Sequence, residues 1–177
     1  DRITPQPPAA CSSAASGPGY STLTYRGTAP QTGNGTFFEL NPITLGDASA
    51  DRWLIGLFVW GGNNISVSSL DGGFTQLAHS TSANGGAAIY GVSFPTGNYG
   101  GGSITLDASS NHMHPAWYTV NMTDATPHDT DVVAISSGTA TMSALTIPNK
   151  GFALFANYLN DTTNRVHEGS YTEDVEN

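Results

Sequence analysis

The feature that most constrains this chain is a series of short segments, rich in aromatic and β-branched residues, that are separated by turn-forming residues. Such segments lie at 20–25, 36–40, 52–60, 65–70, 74–78, 87–94, 103–106, 114–122, 131–135, 139–147 and 151–158. Several alternate between apolar and polar side chains, as strands with one buried face do. About ten short strands with turn signals every 8–12 residues predict an all-β chain folded as an antiparallel β-sandwich, jelly-roll-like or Ig-like.

The segment 52–60, RWLIGLFVW, is the most apolar of the series. Its aromatic and branched residues favour a strand that is buried on both faces. A short buried helix is the rival interpretation. Gly56 and the following pair Gly61 and Gly62 argue against it, because glycine weakens helix interiors.

The length of 177 residues predicts one domain. Residues 1–19 contain four prolines and many small residues, which indicates an extended N-terminal arm. Residues 20–177 are then a single β-sandwich domain. Because the chain begins with Asp, we expect it to be processed or to be part of a longer product. The lone Cys11 excludes an intrachain disulfide; it is either an inert small residue or a cross-link to another subunit.

Charge is scarce and unevenly distributed along the chain. The formal net charge is −9, and charged residues make up 11% of the sequence. This acidic balance argues against a nucleic-acid partner, which requires clustered Lys and Arg. No run of about 18 apolar residues is present, so we predict no membrane span. Between residues 53 and 106 the only charged side chain is Asp71. We expect the strands there to present neutral polar faces that pack readily against neighbouring subunits.

Two pairs of residues are candidates for ligand binding. Tyr99 lies in a glycine-rich turn, where we expect it to be exposed, and Trp117 is a second candidate ring for stacking against a sugar. Core packing is the alternative for Trp117. His112 and His114 are two positions apart, so on a strand they share a face and are candidate metal ligands. Two imidazoles alone do not close a metal shell, and ordinary hydrogen-bonded histidines are the alternative.

No motif for catalysis is present in the sequence. The chain has no nucleophile elbow of the form Gly-x-Ser-x-Gly, no His-Glu-x-x-His and no phosphate-binding loop. No pair of carboxylates can be assigned to general acid and base roles. We therefore predict a protein that is not an enzyme and has no cofactor.

The segment ITLGDASADRWLI at 43–55 resembles a strand-entry pattern in structural proteins of tailed bacteriophages and prophages. In those proteins a short hairpin ending in Gly-Gly follows, here 65–73. A strand ending in Pro-Thr-Gly comes next, here Pro95, Thr96 and Gly97, and a late Thr-Glu-Asp follows at 172–174. The resemblance spans roughly 20–175. It implies a role in the virion, as a head decoration, head fibre or tail accessory protein.

Together these observations predict a non-enzymatic structural protein of a phage particle, located in the virion, that decorates or stabilises the head or tail by subunit packing. The expected partners are neighbouring capsid or tail subunits, including further copies of the same chain. The alternative is a carbohydrate-binding or adhesive module at a cell or fibre surface, with a host surface glycan as partner.

Overall fold

The computed structural model describes residues 23–28, 31–121, 130, 131, 146, 153, 154 and 156, with the backbone alone described at 31–34. Within these residues there are seven strands and no helix. The strands are β1 (Leu23–Thr28), β2 (Gln31–Leu40), β3 (Arg52–Gly61), β4 (Val67–Leu70), β5 (Thr75–Thr81), β6 (Gly85–Ser93) and β7 (Gly102–Asn121). Every strand pair is antiparallel, so the predicted all-β antiparallel class is confirmed.

The 20-residue strand β7 organises the sheet. Along one side it pairs with β1 and then β2, from Leu23 opposite Val120 to Leu40 opposite Gly102. Along the other side it pairs with β3 through its second half and with β4 through its first half. The sequence predicted separate strands at 103–106 and 114–122. They are one strand, because Ser110, His112 and Met113 between them pair with β2 and the backbone stays extended from Gly102 to Asn121.

The larger part of the sheet has the strand order β1-β7-β3-β6-β5. Strand β3 lies at its centre and pairs along its length with both β6 and β7. Eight of the ten β3 residues are buried, which confirms the prediction of a strand covered on both faces. Such a strand needs apolar side chains at consecutive positions, and the segment RWLIGLFVW supplies them.

The sheet folds over on itself where the pairing of β2 with β7 loses its regular register. Gly35 lies opposite Ser110, but Phe37 lies opposite Thr105, so β7 accommodates three extra residues at this point. Bulges of this kind bend a strand and increase its twist. The first half of β7, with β2 and β4, is thereby packed against the β3–β6 face. The result is a sandwich-like arrangement of one continuous, unclosed sheet.

The main core lies between the two layers that this fold creates. It contains residues from both layers, including Phe38, Leu40, Ile104 and Leu106 from one and Leu54, Phe58, Trp60, Ala88 and Tyr90 from the other. Burying such side chains contributes about 1.5–3 kcal/mol each relative to exposure. The side chains that face this core lie at every second position along each strand, as expected, because successive residues of a strand face opposite sides of the sheet.

A second apolar cluster lies on the opposite face of the larger layer. Ile55, Leu57 and Val120 are its buried members. Several half-buried side chains pack against it, among them Leu154 and Ala156 from late in the chain. Both faces of β3 are therefore covered.

Several predictions fall outside the described residues: the N-terminal arm at 1–19, the strands at 131–135 and 139–147 apart from Asp131 and Thr146, most of the strand at 151–158, and Cys11. Among the residues that are described, no helix is long and apolar enough to cross a membrane.

Candidate functional site

Tyr99 and Trp117 come together in the structure, but they do so inside the core. Their ring centroids are 5.4 Å apart, and the two residues are only 4% and 3% exposed. The prediction that Tyr99 is exposed is therefore wrong. Paired backbone hydrogen bonds between Ile43 and Tyr99 hold the turn against the layers. The ring then points inward, where it contacts Phe74 and Phe94 edge to face.

These rings belong to a larger aromatic cluster. Phe58 contacts both Tyr90 and Trp117 edge to face, at centroid distances of 5.9 and 5.2 Å. Aromatic pairs in this geometry contribute about 0.5–1.5 kcal/mol beyond the burial of their surface. The cluster therefore stabilises the fold, and it presents no open platform for a sugar ring.

The hydroxyl of Tyr99 is buried and has no hydrogen-bond partner in the described part of the chain. Burial raises the pKa of this hydroxyl above its ordinary value, and the negative charge of Asp71 raises it further. The Asp71 carboxylate itself accepts a hydrogen bond of 2.5 Å from the hydroxyl of Ser103. At neutral pH the hydroxyl of Tyr99 therefore stays protonated.

The most extensive hydrogen-bond network of a buried side chain in the described residues centres on Arg52, and it was not predicted from the sequence. This residue is 2% exposed, and its guanidinium donates hydrogen bonds to four backbone carbonyls. The acceptors belong to Gly46, Asp47, Phe94 and Gly97, at distances of 2.7–2.9 Å. The rigid five-donor fork of arginine suits several acceptors arranged around it.

Arg52 therefore ties together the loops at 41–51 and 94–101, which we call the clamped loops. A further bond from the backbone N–H of Leu45 to Oδ1 of Asn98 joins the same two loops. The only sequence signal for this role was an arginine at the first position of the most apolar strand. Such a position predicts a buried end of the strand but does not reveal the acceptors.

A second arginine lies against the clamped loops. Arg26 on β1 donates from Nε to the hydroxyl of Thr119 at 2.6 Å, and its guanidinium covers Gly46. A Cβ at Gly46 would lie 2.7 Å from the Arg26 Nη2, and the residue has a φ of +77°. The positive φ explains why glycine occupies this position, and a side chain there would also displace the Arg26 guanidinium.

His112 and His114 share one face of β7, as predicted, and their ring centroids are 5.2 Å apart. The ring of His112 lies over Gly61 of the neighbouring strand, where a side chain would collide with it. The described residues contain no group of three or more His, Cys, Asp or Glu side chains that could hold a metal ion. The pair thus offers two ligands, and metal binding stays a prediction.

His79 on β5 stacks on the fully buried indole of Trp60, with ring centroids 5.9 Å apart and planes inclined by 23°. Its Nε2 is buried without a hydrogen-bond partner in the described residues. The indole N–H of Trp60 donates to the carbonyl of Ile65 at 2.9 Å. His79 thus packs against the β5–β6 side of the core.

Few charged side chains lie on the outer surface of the described strands, where Glu39 on β2 and Asp107 on β7 are exposed. Two large hydrophobic side chains are exposed there: Tyr25 on β1 and Phe37 on β2, at 55% and 56%. The ring of Tyr25 packs against that of Tyr118, with a centroid distance of 5.4 Å, whereas Phe37 lies opposite Thr105 of β7. Single exposed hydrophobics of this kind are common on soluble domains.

No protein-family model, curated protein or solved structure matches this chain at a significant level.

Proposed function

We propose that this chain is a non-enzymatic structural protein of a phage particle, which decorates or stabilises the head or tail by packing against neighbouring subunits. The observation that carries the proposal is the lack of charge along β4 and β5, each of which pairs on one side only within the described residues, and along β6 beside β5. Strands β4, β5 and β6 contain no Asp, Glu, Lys or Arg. Charged side chains, lysine above all, are a usual means by which a free-standing sheet discourages pairing with other chains.

The rigidity of the clamped loops supports the same function. Exposed loops are commonly mobile, yet here a buried guanidinium and an asparagine side chain fix both loops to the sheet. A surface that is already ordered loses little conformational entropy when a neighbouring subunit covers it. This property suits a protein whose task is stable contact with other subunits.

The glycan-binding alternative loses the two rings that motivated it, since both Tyr99 and Trp117 are buried. The large exposed rings among the described residues, Tyr25 and Phe37, lie on different strands and opposite distant parts of β7. We therefore place this alternative second.

The test is the composition of virus particles purified from cells that produce this chain. We expect the protein to be present at a fixed copy number per particle, measured by quantitative mass spectrometry, and to remain after washing with high salt. Antibody labelling in electron micrographs then distinguishes head from tail. A protein that is produced in the cells but is absent from purified particles would overturn the proposal.

A further inference from the structure

Strand β5 ends the sheet in the order β1-β7-β3-β6-β5. One edge of β5 pairs with β6, from Thr75 opposite Gly91 to Thr81 opposite Gly86. No strand in the described part of the chain pairs with its other edge. The backbone N–H and C=O groups on that edge therefore form a template for a further strand.

The sequence of β5, TQLAHST, contains none of the charged residues or prolines that usually protect such an edge. A register irregularity lies between Gln76 and Ala78 and bends the beginning of the strand. Beyond it, the four residues from Ala78 to Thr81 keep a regular register with β6. Most of this part of the strand is thus extended and able to pair.

We propose that the outer edge of β5 pairs with the same edge of a second copy of this chain, antiparallel and across a two-fold axis. The axis falls at His79, so that Ala78 of each copy lies opposite Ser80 of the other. The larger layers of the two copies then form one continuous sheet with β5 beside β5 at its centre. This inference rests on the proposed function, in which contacts between copies of the chain are important, and it names one of those contacts.

A second copy fits this edge better than an unrelated peptide for two reasons. Self-pairing brings no Asp, Glu, Lys or Arg together, and Ala78 and Ser80, which lie opposite each other, are small. The two His79 residues meet at the axis, where the ring of each is stacked on Trp60 of its own copy. The edge also offers no charge with which to select a foreign sequence. Leu77, its largest apolar residue, is already packed in the chain's own second cluster. A two-fold interface is the commonest form of self-association.

The test is sedimentation velocity of the complete protein over a wide range of concentration. We expect a monomer–dimer equilibrium in the native protein. In the variant Ala78→Lys/Ser80→Lys, two like-charge pairs face each other across the axis, and we expect self-association to weaken by roughly 2- to 30-fold. The variant Ala78→Lys/Ser80→Glu places opposite charges across the same axis, and we expect it to restore association.

The matched control, Thr36→Lys/Ala108→Lys, adds the same charge at exposed positions of β2 and β7, outside β5 and the clamped loops, and should leave association unchanged. Thermal unfolding of each variant confirms that it is folded. Amide hydrogen exchange supplies a second measurement, since protection of β5 should rise with protein concentration.

A native protein that is monomeric at every concentration would overturn the proposal. This result is expected if other residues of the same chain cover the outer edge of β5. Dimerisation that is unaffected by Ala78→Lys/Ser80→Lys, or that Ala78→Lys/Ser80→Glu does not restore, would also overturn it. Any of these results leaves the proposed function standing if the protein is found in particles. Absence from particles, with an intact β5 dimer in solution, would overturn the proposed function alone.

Discussion

Replacing Arg52 with methionine tests how much the clamped loops depend on a single buried side chain. Methionine keeps much of the apolar stem but removes all the donors. Four carbonyl oxygens, at 2.7–2.9 Å from the guanidinium in the native structure, then lose their partner. All four acceptors are neutral carbonyls, so the interaction is a set of charge-assisted hydrogen bonds.

The expected loss follows from the number and exposure of these acceptors. Removing a partner from a buried polar group costs about 1–3 kcal/mol. Gly46, Asp47 and Gly97 are exposed residues, so water can reach their carbonyls and reduce the loss at each, whereas Phe94 is half-buried. We therefore expect the free energy of unfolding to fall by about 3 kcal/mol.

Urea denaturation followed by tryptophan fluorescence measures this loss. With an m-value of about 2 kcal/mol/M, a loss of this size lowers the midpoint by about 1.5 M. Arg52→Lys should fall between the native protein and Arg52→Met, because an ammonium has three donors and cannot reproduce the planar fork. Hydrogen exchange should accelerate most in the clamped loops.

Arg26→Met is the matched control, because Arg26 is half-buried and has one described hydrogen bond, to Thr119. Its loss should be about 1 kcal/mol. The reasoning is refuted if Arg52→Met loses less than Arg26→Met. It is also refuted if Arg52→Lys is as stable as the native protein, since charge alone would then explain the effect.

Three further substitutions test the core. Gly86→Ala should lower the free energy of unfolding by about 1–3 kcal/mol, because a Cβ would lie 2.5 Å from the indole of Trp60. The control is Gly100→Ala, since no atom lies within 4 Å of a Cβ there. Equal midpoints of the two variants in urea denaturation would contradict the clash. Trp60→Phe should lower the free energy of unfolding by about 1–3 kcal/mol, since the carbonyl of Ile65 loses its donor. An unchanged urea midpoint would contradict this and would show that water replaces the indole N–H as the donor. Tyr99→Phe should leave stability at neutral pH equal or slightly higher, because the hydroxyl has no partner in the described residues. Above about pH 10 the unfolded state releases the Tyr99 proton while the folded state keeps it, so the stability of the native protein falls as the pH rises. Urea denaturation at alkaline pH should show a smaller fall in the Tyr99→Phe variant.

The sequence by itself determined the class of fold and the position of most strands. Alternation within short segments depends on which face of a strand is buried, and this is a local property with a period of two. The central place of 52–60 followed from its composition, because a strand that is covered on both faces needs apolar residues at consecutive positions.

Only the tertiary structure decided how these strands are joined and which polar groups meet. The segments 103–106 and 114–122 became one strand because β2 pairs across the polar stretch between them, a contact that no local pattern indicates. The same limit explains Tyr99: glycines around it predicted exposure, but pairing with Ile43 turns its ring into the core. Arg52 reaches carbonyls of Phe94 and Gly97, more than 40 residues away. Long-range pairing of backbone groups is set by the whole fold, and local sequence does not encode the partner.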